Sequence, residues 1–256
     1  MKIDHFIRIY LDCDFPHLPK DESWVKNRIE FFERFTLKSL ESQTFKDFEI
    51  ILLCGRQFKH ITSAHRWPDG IRISYNYGRD VFQKSAADYI AITRIDSDDL
   101  YHRDAMANIR GNLKVNPQRR ECLIFRHAQT WDMINKLLTP RHRPSPPFYT
   151  HIYPRVIFMD WPRFKADHFI GHGRAGGRLL DTTELPEGRV IVTNSDWNVG
   201  YFRRQIAPVR MTEGTRAKYL KQFPQATGDK KTINKTLEEF GIKNGWEAYP
   251  WTKKQK

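Results

Sequence analysis

The chain is poor in cysteine, and none of the three is spaced for pairing: Cys13, Cys54 and Cys122 lie far apart with no Cys-x-x-Cys string. That excludes a disulfide framework and a cysteine-rich structural zinc site, and it fits a reducing compartment. No stretch approaches the roughly 18 consecutive apolar residues that a membrane span needs, and charge interrupts Met1-Lys2-Ile3-Asp4-His5 before a signal-peptide core can form. The expectation is a soluble, intracellular protein of the cytoplasm. No G-x-x-x-x-G-K-[ST] string occurs, so a P-loop is excluded even though Gly171-His172-Gly173-Arg174-Ala175-Gly176-Gly177 is rich in glycine. Acidic residues are scarce after the first hundred. Residues 1–100 carry 16 Asp/Glu against 15 Lys/Arg, but residues 101–178 carry 5 against 14 and residues 209–256 carry 5 against 11. The net charge of +13 therefore resides in the middle and the tail, surfaces that attract phosphates, nucleic acid or an anionic membrane.

At 256 residues the chain can bury one large core. We divide it into a catalytic domain over 1–208, with a nucleotide-binding half (1–100) and an acceptor half (101–208), followed by a basic segment with a short helix over 209–256. His5–Leu11, Phe48–Leu53, Ile71–Tyr75 and Asp88–Ile95 read as strands, the second as a continuous apolar run typical of a strand covered on both faces. Between the first two, Val25, Ile29, Phe32 and Leu40 recur at helical spacing behind Ser23, a candidate N-cap. Strands alternating with helix-length segments predict an α/β fold with a mostly parallel sheet and helices on both faces. Met106, Ile109 and Leu113 predict a helix that Asn116-Pro117 stops, and Cys122–Phe125 a further strand. Pro140–Pro147 reads as a loop, and Thr232 as the cap of a helix bearing Ile233, Leu237 and Phe240, with Gly241 as its stop.

The most informative string is Asp96-Ser97-Asp98-Asp99, which ends the fourth strand. Three carboxylates within four residues repel one another, and a hard divalent cation with oxygen ligands relieves that repulsion best. The string thus points to a Mg²⁺ or Mn²⁺ site at the carboxyl edge of a sheet, where open α/β sheets bind ligands. An acidic turn capping the next helix is the structural alternative. Arg94, within the same strand, orients these carboxylates or reaches a phosphate, or else forms a structural ion pair with Asp96 or Asp98.

Trp24, Arg28, Phe32, Leu37, Ser39, Leu40, Gln43 and Phe48, followed by Thr93-Arg94-Ile95-Asp96-Ser97-Asp98-Asp99, resemble the GT-A nucleotide-sugar glycosyltransferases, in particular the rhamnosyltransferase-like group related to glycosyltransferase family 2. The likeness covers roughly residues 5–110. It implies a GT-A, Rossmann-like fold, a nucleotide-diphosphate sugar donor, a saccharide or other hydroxyl acceptor, and inverting transfer. It also implies direct metal ligation by Asp98, contact of Asp96 with the ribose or a metal-bound water, support from Asp99, and nucleotide contacts at Arg8 and Tyr10. The family's catalytic base corresponds to Asp196 in Thr193-Asn194-Ser195-Asp196-Trp197, a position that equally suits a helix cap. A C-terminal histidine often completes the metal site in such enzymes, yet the last histidine here is His172, which becomes the candidate. The arginines Arg141, Arg143, Arg174 and Arg178 are expected on loops that close over the donor or an anionic acceptor.

Two other readings compete. A nucleic-acid-binding protein or metal-dependent nuclease would use the basic middle and tail, but a two-metal nuclease needs more clustered carboxylates than residues 101–178 offer, and no nucleic acid is expected as a partner. A GT-A-like module without activity would dock peripherally on a membrane through Lys253-Lys254-Gln255-Lys256.

Overall fold

The computed structural model describes residues 1–12, 21–142, 147–168, 182–195 and 210–247. Strands β1 (Ile3–Asp12), β2 (Glu49–Cys54), β3 (Ile71–Ser74) and β4 (Tyr89–Asp96) alternate with helices α1 (Glu22–Phe31), α2 (Leu37–Glu41), α3 (Lys59–Ala64) and α4 (Arg79–Phe82). A π-helical turn, Phe32–Thr36, makes α1 and α2 one continuous rod. There follow β5 (Leu100–Tyr101), α5 (Ala105–Gly111), β6 (Glu121–Ile124), β7 (His127–Asp132), β8 (Leu137–His142), β9 (Tyr149–Pro154), α6 (Arg155–Phe158), α7 (Trp161–His168), β10 (Thr182–Glu184) and β11 (Val190–Asn194). Two helices, α8 (Glu213–Gln222) and α9 (Lys230–Glu238), come last.

The main sheet has the order β10-β6-β9-β4-β1-β2-β3, parallel from β4 through β3, with β9 antiparallel to both neighbours. This is the mostly parallel, Rossmann-like sheet of the GT-A arrangement that the resemblance implied. Its faces follow from period-two alternation. In β1, Ile7, Ile9 and Leu11 pack with Trp24, Val25 and Ile29 of α1 and with Met106 of α5. On the opposite face Phe6 joins Ile51, Ile90, Ile92 and Tyr153 under Phe82 and Phe164. With helices on both faces, the strands read as near-continuous apolar runs. The chain passes from β1 outward to β3 and returns to β4 on the other side of β1, so the carboxyl ends of β1 and β4 form the switch point of the topology.

A second sheet, β5-β11-β7-β8, was not foreseen. Phe31 and Phe35 of the α1–α2 rod, Trp131 of β7 and Ile191 of β11 share a core with Ile233, Leu237 and Phe240 from the C-terminal helix.

Several boundaries differ from the sequence expectations. Asp21, not Ser23, caps α1, its carboxylate accepting from the N–H of Trp24 at 2.7 Å. Likewise Asp229, not Thr232, caps α9, accepting from the N–H of Thr232 at 2.7 Å. In both helices an aspartate three residues upstream offers a charged acceptor to the first turn, which favours it over a hydroxyl already inside that turn. Helix α5 ends at Gly111 rather than running to Asn116. Pro140, Arg141 and His142 belong to β8 rather than to a loop, and β8 lies at the end of its sheet, where a residue without an N–H is tolerated. Gly241 does stop α9, at φ +76, because a Cβ there would meet the carbonyl oxygen of Lys38 at 2.7 Å.

Candidate functional site: carboxylates at the switch point

Register places Tyr10 of β1 beside Asp96 of β4, and Arg8 beside Arg94. The three carboxylates then diverge. The Asp96 side chain is 32% exposed and accepts from Arg94 Nη2 at 2.8 Å. Asp98 is 5% exposed, and its Oδ2 accepts from Arg28 Nη1 at 3.0 Å. Asp99, 3% exposed, turns toward the second sheet and accepts from the N–H of Thr193 at 3.0 Å. The Thr193 hydroxyl also donates to the Asp98 carbonyl oxygen, so the end of β11 is fastened to the acidic turn.

Arg28 is the residue that sequence reasoning missed as part of the site. From α1 it donates Nε to Ser97 Oγ at 2.9 Å, and Ser97 in turn donates to the carbonyl oxygen of Tyr10 at 2.7 Å. One guanidinium therefore fixes the carboxylate turn to the end of β1. Burial alone would weaken its hold on its proton, but Asp98, then Asp96 and Asp99, outweigh burial and push the pKa up. The same balance holds for Arg94, where Asp96 and Tyr149 oppose burial and the pKa is also raised. The signal for Arg28 was present in the sequence: it shares a helix face with apolar Trp24 and Val25, and an arginine on such a face needs a carboxylate.

Arg8 lies deeper than the resemblance suggested, at 1% exposure. It donates Nη1 to His168 Nε2 at 2.6 Å and Nη2 to the Tyr149 hydroxyl at 3.4 Å. Because Nε2 accepts, His168 carries its proton on Nδ1 and donates it to the Tyr153 hydroxyl (3.1 Å), which donates to His151 Nδ1 (3.2 Å). Burial, then Arg8, push the His168 pKa well down, so it stays neutral. The Arg8 and Arg94 guanidinium carbons lie 4.9 and 5.6 Å from the Tyr10 ring centre.

Among the described residues no group of three or more His, Cys, Asp or Glu side chains is gathered for a metal ion. Two carboxylates do suit a hard cation that keeps water and phosphate as its other ligands. Asp98 Oδ1 has no hydrogen-bond partner among the described residues, and Asp96 is partly open to solvent. Asp99 is spent on Thr193. His172, Asp196, Arg143, Arg174, Arg178 and the Gly171–Gly177 segment lie outside the described residues, as does the basic tail. Arg141 lies on β8 of the second sheet.

No family model matches the chain, and no curated protein matches it. Among solved structures it is similar to Rv0371c from Mycobacterium tuberculosis H37Rv, at 14% identity over 86% of this chain and 98% of that one, with a TM-score of 0.33. A complex of that protein with manganese gives 0.31. Residues 1–349 of TarS from S. aureus match at 13% identity over 92% of this chain and 72% of that one, with a TM-score of 0.38. A protein from Desulfovibrio desulfuricans G20 designated a nucleotide-diphospho-sugar transferase matches at 12% identity over 86% and 96% of the two chains, with a TM-score of 0.37.

Proposed function

We propose that this chain transfers a sugar from a nucleoside diphosphate to an acceptor hydroxyl, with Mg²⁺ or Mn²⁺ held by Asp98 and Asp96. The observation that carries the reading is a buried Asp98 at the β1–β4 switch point, paired with Arg28 through Oδ2 alone among the described residues, beside a partly exposed Asp96. A bound cation would draw off the negative charge that builds on the leaving diphosphate. Arg28 holds Asp98 by one of its two oxygens, and Arg94 holds Asp96 from within the strand. Tyr10, with two guanidiniums near its ring, stands at the end of β1 beside Asp96, where a nucleoside base can stack.

Asp196 is the proposed base. It follows Thr193, whose N–H holds Asp99, by three residues in the sequence. An in-line displacement with a carboxylate opposite the leaving group inverts the anomeric centre.

The test is transfer or slow hydrolysis of UDP-, GDP- and dTDP-hexoses with Mn²⁺, with the anomeric configuration of the product read by proton NMR. Inverted product is expected, and Asp196→Asn should lose about a hundredfold or more in turnover while keeping nucleotide affinity. Retained configuration, or a near-normal rate in the variant, removes Asp196 from the mechanism. No turnover of any of these donors argues against transfer itself.

A further inference from the structure

A second polar cavity, of about 480 Å³, opens where the β7–β8 hairpin meets the C-terminal helices, and Asn135, Lys136, Arg210, Arg216, Gly228 and Trp246 line it. That volume is within the usual ~300–1,000 Å³ of small-molecule pockets. Its walls are rigidly built. Asp132 accepts from the N–H groups of Ile134 and Asn135 at 3.1 and 3.0 Å and from Asn135 Nδ2 at 2.8 Å, which closes the hairpin turn. Lys136 follows in the left-handed region, φ 55, a strained setting for a lysine. Arg216 of α8 clamps the turn, donating to the carbonyl oxygens of Asn135, Lys136 and Gly228 at 3.1 to 3.3 Å. A Cβ on Gly228 would lie 1.9 Å from Arg216 Nη2, so that guanidinium position requires glycine. Lys136 Nζ donates to the Trp246 carbonyl oxygen at 2.6 Å and sits 5.8 Å from that residue's ring centre.

Among the described residues that line this cavity, every charged side chain is cationic. The three side-chain hydrogen bonds of Arg216 all go to neutral carbonyls, and its Nη1 has no partner among the described residues. Near the cavity, Asp132 closes the hairpin turn and Glu247 pairs with Lys230. Burial lowers the Lys136 pKa, with Glu247 only partly opposing it, so a seated anion would relieve this lysine. The cavity also lies on the edge that carries the acidic turn. The N–H of Met133 donates to the Asn194 carbonyl oxygen at 3.0 Å, one residue from the Thr193 amide that holds Asp99.

We infer that this pocket binds a sugar bearing an anionic group, phosphate or carboxylate, with the charge met by Lys136, Arg210 and Arg216 and the sugar face laid against Trp246. As the acceptor subsite it rests on the transferase reading; as a site for an anionic sugar it does not. The full chain is titrated calorimetrically with glucose 6-phosphate, glucuronate and glucose, and separately with Mn²⁺ and UDP. Saturable binding of glucose 6-phosphate or glucuronate but not of glucose is expected, and the tighter of the two identifies the anion. The double variant Lys136→Asn/Arg210→Gln should weaken that binding by at least about tenfold at unchanged melting temperature, since asparagine accepts the left-handed backbone. Gly228→Ala, which displaces Arg216, should weaken it as well. No saturable binding of either anionic sugar, equal binding of glucose, or unchanged affinity in both variants overturns the inference. Variant-sensitive binding of an anionic sugar in a protein that ignores Mn²⁺ and UDP would leave the pocket standing and remove the transferase reading.

Discussion

Arg28 and Asp98 form an ion pair in which both side chains are under a tenth exposed, so removing one charge leaves the other buried without its partner. Repulsion among the carboxylates alone would make Asp98→Asn stabilising. The buried arginine reverses that sign. Asparagine keeps an acceptor for Arg28 but not the charge, and we predict a loss of roughly 2–4 kcal/mol in denaturant unfolding, with Arg28→Met costing as much or more. The double variant should recover part of the loss, and the coupling from the double-mutant cycle measures the pair. Strictly additive losses would mean that the two side chains do not depend on each other. The acidic turn itself was legible in the sequence because three close carboxylates after an apolar strand have few uses. Its partner was harder to read, since Arg28 lies 70 residues away and only the fold brings them together.

Strands were legible at the scale of elements because the sheet is covered on both faces, so β2 appears as an apolar run and β4 opens on one, Tyr89 to Ile92. The second sheet was not, since β5 has two residues and β8 carries a proline and three charged or polar residues at an exposed end. Nor does any residue pattern announce the π-helical turn at Phe32–Thr36. It turns Phe31 and Phe35 toward the C-terminal helix while Phe32 and Leu37 stay in the main core. The buried histidines give this layer a pH signature. His5 of β1, bonded to Thr93 at 2.7 Å, has its pKa lowered to about 4 by burial and then by Arg110. The folded state thus holds His5 neutral where the unfolded chain protonates it, so its stabilising contribution is complete above pH 6.5 and is lost as pH falls toward 4. His168 acts in the same direction. Denaturant unfolding should show a loss on the order of 3 kcal/mol from His5 across that interval, and His5→Asn should flatten the slope. A pH-independent stability between 6.5 and 4.5 would contradict the burial assigned to both residues.

Across the whole molecule, the C-terminal residues are part of the packing that supports the site. Ile233, Leu237, Phe240 and Ile242 cover Phe31 and Phe35 of the rod that carries Arg28, and Trp131 and Ile191 beside the strand end that holds Asp99. Burying four such side chains contributes roughly 6–12 kcal/mol, as much as a domain's entire net stability. Truncation before Asp229 should therefore yield aggregated or unfolded protein rather than a folded catalytic fragment, with circular dichroism as the check. A soluble fragment with the parent's melting temperature would show that this helix is dispensable. Net charge pointed toward phosphate-bearing ligands without saying where they bind, because a count of lysines and arginines cannot distinguish Arg8 and Arg28, buried in the core, from Arg210 at the rim of a cavity. On the proposed reading, the acidic turn at the β1–β4 edge receives a nucleoside diphosphate together with a divalent cation. The decisive measurement is isothermal titration of UDP, GDP and dTDP into the full chain, with Mn²⁺ and then with EDTA. Saturable binding of one nucleotide over the others, lost on chelation and lost in Asp98→Asn, is expected; equal binding of all three without metal, or undiminished binding in the variant, would overturn the reading.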